Sequence, residues 1–289
     1  MSVTAEMARS TRALPLLAQA FERACQPFAL DMADNRRVRV GFAVLSEWRP
    51  WLAQAQAMLD DAERARVATL RRAHDRDERS LAYALHRLFL SQALRTVPAA
   101  VPLHRDDDGR PCLHGIAAVT SLSHTEDAVA FAFAGNGPLG VDVEPIARAT
   151  ALDEIATRIC HPDEYTALPA PPPLRDAALL RTWVRKEAFL KAAGIGLACD
   201  MENFAAAEGA VLDTRLADPA AGGRVRLHAL RLHPQFEVAL AAPPALPPAA
   251  QWLSPPALAL AGAAPVRRIE EQARRAMSAA NANDRRGTG

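Results

Sequence analysis

Residues 181–196, RTWVRKEAFLKAAGIG, constrain the fold of this chain more than any other stretch. Trp183, Val184, Ala188, Phe189 and Ala192 recur at three- and four-residue spacing, which predicts a helix with one apolar face. Gly194 and Gly196 end it. A second segment of this kind, DRDERSLAYALHRLFLSQAL at 75–94, has a seam of Leu81, Leu85, Leu88 and Leu90 with Ala82 and Ala93. Each stripe needs a surface to cover it, and the chain offers short extended segments. RVRVGFAVL (37–45) alternates, with Val38, Val40, Phe42 and Val44 on one face. AVTSLSHTEDAVAFAFAG (118–135) reads as strand, polar break and strand, and PLGVDVEPIA (138–147) as a third strand that Pro145 ends. RVRLHALRL and FEVAL are later strands. Between them, Asp60 or Asp61 caps a helix in LDDAERARVATLRR, LDEIATRICHPDEYTAL is a further helix, and PAPPPL is a rigid linker.

This order predicts an α+β protein of two similar halves related by a pseudo-two-fold. Each half is a small, mostly antiparallel sheet on a long helix, with the active site in the cleft between them. The expected boundaries are an Ala-rich extension at 1–35, a first half at 36–137, a second half with a metal site at 138–240, and an Ala/Pro-rich, disordered tail at 241–289. The formal net charge of +1 gives no overall basic excess for nucleic acid. No run of 18 apolar residues suggests a membrane span, and Pro15 interrupts the short apolar run near the N-terminus. Cys25, Cys112, Cys160 and Cys199 have no metal-ligand spacing, so they read as reduced thiols of a cytoplasmic protein.

Chemistry concentrates at three places. In GVDVEP, Asp142 and Glu144 are two apart on a strand and leave the same face. That pattern fits a solvated acidic face, but converging carboxylates also suit a hard divalent cation with phosphate oxygens. Glu187 could complete such a site, or could simply pair with Lys191 one helical turn on. Lys186 and Lys191 would face phosphates as point charges. In SLSHT, Ser123 and His124 follow a strand; no G-x-S-x-G elbow surrounds them, so phosphate contact suits them better than acyl chemistry.

These blocks together closely resemble the 4′-phosphopantetheinyl transferases. The family pattern is G-[ILV]-D-[ILV]-E followed by W-x-x-K-E-[AS]-x-x-K, and Gly140, Asp142, Glu144, Trp183, Lys186, Glu187, Ala188 and Lys191 fill its fixed positions. The similarity covers roughly residues 37 to 240 and points to the double-length, monomeric, surfactin-synthetase-activating type. The resemblance implies transfer of the phosphopantetheine arm from coenzyme A to a serine of an apo acyl, peptidyl or aryl carrier, with 3′,5′-ADP released. It implies Mg²⁺, or Mn²⁺ in its place, on Asp142, Glu144 and Glu187. It assigns Ser123, His124, Lys186 and Lys191 to the phosphates, Arg79 to the 3′-phosphate and Arg110 to the adenine side. Arg64 and Arg66 stand where the family often has further basic residues. Glu187 and Lys191 are the implied catalytic pair, with a metal-bound water as the alternative base. Ile159 and Cys160 depart from the aromatic pair usual in the family. A paralogue that binds coenzyme A or a carrier without transfer is the competing reading.

Overall fold

The computed structural model describes residues 16–26, 36–106, 109–196 and 199–257. The chain separates into two compact units, Met1–Pro256 and Ala257–Gly289, and the first is described here. Its helices are α1 (Leu17–Cys25), α2 (Leu45–Trp48), α3 (Leu52–Met58), α4 (Asp61–Ala68), α5 (Ala73–Ala93), α6 (Ala156–Ile159), α7 (Pro162–Thr166) and α8 (Pro172–Ala193). Its strands are β1 (Val38–Val44), β2 (Leu103–Arg105), β3 (Pro111–Leu113), β4 (Val119–Thr125), β5 (Ala128–Ala134), β6 (Gly140–Pro145), β7 (Val211–Asp213), β8 (Arg224–His233), β9 (Phe236–Ala242) and β10 (Pro248–Trp252).

The strands form two four-stranded sheets, ordered β10-β1-β5-β4 and β6-β9-β8-β7, and β2 and β3 make a separate hairpin. Neighbours are antiparallel except β1 and β10. Alternate residues of β1 and β5 (Val38, Val40, Phe42, Ala130, Ala132) share one core with Val141, Val143, Val238 and Leu240 of the second sheet. The opposite face of β5 meets α5, where Phe89 packs on Phe131 at 4.7 Å between ring centroids. The opposite face of the second sheet (Val225, Leu227, Ala239, Ala241) meets Leu180, Val184, Ala188 and Phe189 of α8. The layers therefore run α5, sheet, sheet, α8. This stacking explains why AVAFAFA is apolar throughout: every residue of β5 is buried because both faces are covered.

Asp60 caps α4 with a reciprocal capping box to Glu63, as its spacing predicts. Three expectations change. PAPPPL is no linker, since α8 begins at Pro172; proline is tolerated in a first turn, where its missing N–H would have no helical partner anyway. LDEIATRICHPDEYTAL is not one helix, because Cys160 is extended ahead of His161, which caps α7 with Pro162 in its first turn. Nor does order end at residue 241: β10 pairs in parallel with β1 as an edge strand, where a proline at the first position costs no ladder bond. The rest of the expected tail, 258–289, and most of the expected N-terminal extension lie outside the described residues. Within that extension α1 buries Leu17, Ala20, Phe21 and Ala24, and Gln251 Nε2 donates to Ala24 O at 2.6 Å.

The second sheet touches α8 backbone to backbone at Gly140. A Cβ there would sit 2.6 Å from the amide N of Ala192 and closer still to the carbonyl oxygen of Ala188. Gly140 therefore sets how near β6 and its acids come to α8. Gly140→Ala should cost about 1–3 kcal/mol in equilibrium denaturation through overpacking. Gly222→Ala, where a Cβ meets nothing within 4 Å, serves as the control and should leave stability nearly unchanged. Equal stability of the two variants would contradict the close approach.

Candidate active site

β4 and β6 are the facing edge strands of the two sheets, and side chains stitch them together. The amide of Val141 donates to Ser121 Oγ at 3.1 Å, Ser123 Oγ donates to Asp142 Oδ1 at 2.8 Å, and Thr125 Oγ1 donates to Glu144 Oε2 at 3.3 Å. From α8, Lys191 Nζ donates to both Asp142 Oδ1 and Ser123 Oγ at 2.7 Å. Glu187 stands one turn before Lys191 on the same helix and is buried with Asp142 and Glu144. Burial, then the charge of Asp142, pushes the Glu187 carboxyl up to about 7, with Lys191 opposing. The same two causes raise Glu144, opposed by Arg148.

Asp142 Oδ2 and Glu187 Oε1 are buried without a hydrogen-bond partner. Two orphaned carboxylate oxygens beside one another's charge fit a hard divalent cation. Glu144 differs from its expected role. Its Oε1 accepts from Arg148 Nη1 at 2.6 Å and its Oε2 from Thr125, so both oxygens are engaged by the protein. Accordingly, among the described residues no three His, Cys, Asp or Glu side chains gather in a geometry that could hold a metal. Of the three expected carboxylates, Asp142 and Glu187 keep a free oxygen and Glu144 has protein partners on both of its own.

On the other side of Lys191 opens a cavity of about 540 Å³. Arg66, Arg79, Arg105, Arg110 and Lys191 line it with His124, and among the described residues no carboxylate does. Arg105 lies 4.2 Å over the ring of Tyr83, and its Nη1 donates to Gly109 O at 3.1 Å. Its Nε and Nη2 are buried without a partner. Burial pulls its pKa down, with Tyr83 opposing. Arg79 reaches the same tyrosine, donating to Tyr83 Oη at 3.4 Å. Arg110 is held by Asp106, its Nε 3.1 Å from Oδ2, and lies against Gly194. Gly194 caps α8 at φ 87°, the left-handed conformation that selects glycine, and the Arg110 guanidinium lies against it. A larger hollow of about 660 Å³ carries both signs of charge, Arg49, Arg72 and His74 against Asp75, Asp77, Glu78, Glu126 and Asp127. There Arg49 pairs with Asp77 and His74 with Glu78.

Of the residues singled out in the sequence, Arg79, Arg110, His124 and Lys191 line the cavity, and Ser123, Asp142 and Glu187 meet at its acidic end. Lys186 does not face phosphates. It is fully buried, donates to the carbonyls of Ile159, Met201 and Phe204 at 2.6–2.8 Å, and pairs with Glu164 at 2.7 Å. Adjacent positions on a helix point about 100° apart, which sends Lys186 into the core while Glu187 faces β6. Arg64 is also elsewhere: it bonds Leu59 O and Asp61, and its neighbour Arg66 takes the place in the cavity. Arg105 and Tyr83 were not foreseen. Arg105 belongs to a three-residue strand opposite Pro111, and only the hairpin brings it beside Arg110.

Residues 138–241 match the 4′-phosphopantetheinyl transferase superfamily. The chain is 32% identical to the 4′-phosphopantetheinyl transferase AcpT of Salmonella typhi over 110 residues, 37% of this chain and 56% of that protein. It is 30% identical to a phosphopantetheinyl transferase of a Thraustochytrium species over 169 residues, 52% of this chain and 58% of the relative. It is 28% identical to the 4′-phosphopantetheinyl transferase HetI of a Nostoc species over 163 residues, 52% and 69% of the respective chains. This chain thus spans a little over half the length of the first of these relatives. The matched transferase segment holds Asp142, Glu187 and Lys191, whereas the four arginines of the cavity precede it.

His124 carries a prediction of its own. Burial first, then the neighbouring charge of Arg79, pulls its pKa down from the ordinary 6.5 to about 4. Between those values the unfolded chain binds a proton that the folded protein refuses, so stability falls as pH drops through that window. The fully buried His86 acts in the same direction. Titration by NMR should find the His124 imidazole neutral at pH 6, and His124→Gln should flatten part of the acid loss of stability. A His124 that titrates near 6.5 would contradict the buried, cation-flanked site.

Proposed function

We propose that this chain transfers the 4′-phosphopantetheine arm of coenzyme A to a serine of an apo acyl, peptidyl or aryl carrier domain, releasing 3′,5′-ADP. One observation carries the reading: a cavity lined by five cations and, among the described residues, by no carboxylate opens through Lys191 onto a buried acidic pair with free oxygens. A polyphosphate matches the first part and a reacting pyrophosphate beside a cation site matches the second. The arginines act as clamps that orient the donor, with Arg79 and Arg105 toward the outer phosphate and Arg110 toward the adenosine. Lys191 stands at the inner end, beside the pyrophosphate.

The carrier serine oxygen attacks the β-phosphorus. A P–O bond to serine forms, the bond from that phosphorus to the bridging oxygen breaks, and the electron pair leaves with 3′,5′-ADP. Glu187, buried on α8 beside the acids of β6, takes the serine proton. Mg²⁺ or Mn²⁺ held by Asp142 and Glu187 would neutralise charge growing on the pyrophosphate. A single chain supplies both sides of the site, because both sheets lie in one compact unit, and this supports the double-length, monomeric type. Among the described residues no helix is long and apolar enough to cross a membrane.

Incubation with coenzyme A, Mg²⁺ and an apo carrier, followed by intact-mass measurement, should show the carrier heavier by one phosphopantetheine arm. An unchanged carrier mass with coenzyme A still bound would favour a non-catalytic binder. Arg79→Gln and Arg105→Gln should each raise KM for coenzyme A about ten- to hundredfold, the range for a lost hydrogen bond to a charged group. Arg64→Gln, outside the cavity, should leave KM unchanged. Uniform effects across the three would sink the assignment of the cavity to the donor.

A further inference from the structure

Arg148 is the cation in contact with the acidic cluster whose role the transfer reading leaves unassigned. It follows β6 in a 3-10 turn (Ile146–Ala151), donates to Glu144 Oε1 at 2.6 Å, and lies 5.2 Å over the ring of Trp183 on α8. Its side chain is 43% exposed while that of Glu144 is 10% exposed, so the arginine reaches inward from the surface to a buried carboxylate. With Thr125 on the other oxygen, Glu144 has no free acceptor directed by the protein toward a cation, whereas Asp142 and Glu187 each keep one.

We propose that Arg148 is a latch on the acidic site: it holds Glu144 by a charged hydrogen bond and competes with the divalent cation for the cluster. The proposal rests on the reading of Asp142 and Glu187 as the cation's ligands. Its physical basis is simple. A guanidinium and a divalent cation neutralise the same carboxylates, so whichever is bound weakens the other by mutual repulsion and by withdrawing Glu144. Trp183 gives the guanidinium a platform beside the site, so the latch can release Glu144 without losing every contact. In this account Arg148 is a positioning residue. It sets how much free cation is needed to fill the site and prevents the buried carboxylates from repelling one another when none is bound.

Binding of Mn²⁺ alone, followed by the electron paramagnetic resonance signal of the free ion, tests this without turnover. Arg148→Met keeps an apolar stem against Trp183 but removes the cation, and should bind Mn²⁺ severalfold to about tenfold more tightly than wild type, tenfold being roughly 1.4 kcal/mol. Arg148→Lys restores the charge and should return most of the way to wild-type affinity. Thermal unfolding gives the second readout: Arg148→Met should melt lower than wild type without metal and gain more from added Mn²⁺. Affinity that is unchanged or weaker in Arg148→Met overturns the latch. If Asp142→Asn removes binding while the Arg148 variants match wild type, the latch alone fails. If neither wild type nor any variant binds Mn²⁺, the metal reading falls and the latch with it.

Discussion

The structure depends on how closely β6 is gripped between β4 and α8. On one side, hydroxyls of Ser121, Ser123 and Thr125 reach across from the edge of the first sheet to the Val141 amide and the two acids. On the other, the absence of a side chain at Gly140 lets the strand lie against the backbone of α8. Neither contact is strong alone. Together they fix Ser123, Asp142 and Lys191, on three separate elements, at hydrogen-bond range. Rigid elements packed on both sides are what a reaction needing sub-ångström placement requires.

Charge is arranged around that joint in an unequal way. Carboxylates crowd its buried end, where desolvation and mutual repulsion keep Glu187 near neutrality. Cations crowd the cavity on the far side of Lys191, where Arg105 remains buried with two donors unmatched. Each end is unfavourable by itself, since a buried charge without a partner is costly. An anionic ligand at one end and a cation at the other relieve both at once. The paired charges elsewhere make the contrast plain. Arg87 meets Asp60 and Glu63 at 2.6 and 2.9 Å, and Lys186 meets Glu164 and three carbonyls, so both of these buried cations already have protein partners.

Much of this was legible in the sequence wherever a pattern is local. The seams of α5 and α8, the alternation in β1 and the D-x-E of β6 each follow from spacing within one element. The layered arrangement of the two sheets was not legible, although the doubly buried β5 is its trace. Two errors share one cause: Lys186 and Arg64 were placed with the site because their charge is visible, but which way a charge points depends on tertiary partners such as Glu164 and Asp61. Arg105 was missed for the converse reason, since a three-residue strand leaves almost no periodic signal. Strand β10 was hidden because an Ala/Pro-rich edge strand resembles a tail by composition.

The account turns on the claim that Lys191 joins a donor cavity to a cation site, both built on the grip of β6. Diffraction from crystals of the chain grown with coenzyme A and Mn²⁺, read by anomalous scattering of the manganese, tests that most directly. The expected result is a manganese peak against Asp142 Oδ2 and Glu187 Oε1, with the pyrophosphate on Lys191 and the outer phosphate among Arg79 and Arg105. Coenzyme A bound away from these arginines, or manganese bound away from Asp142 and Glu187, would contradict it.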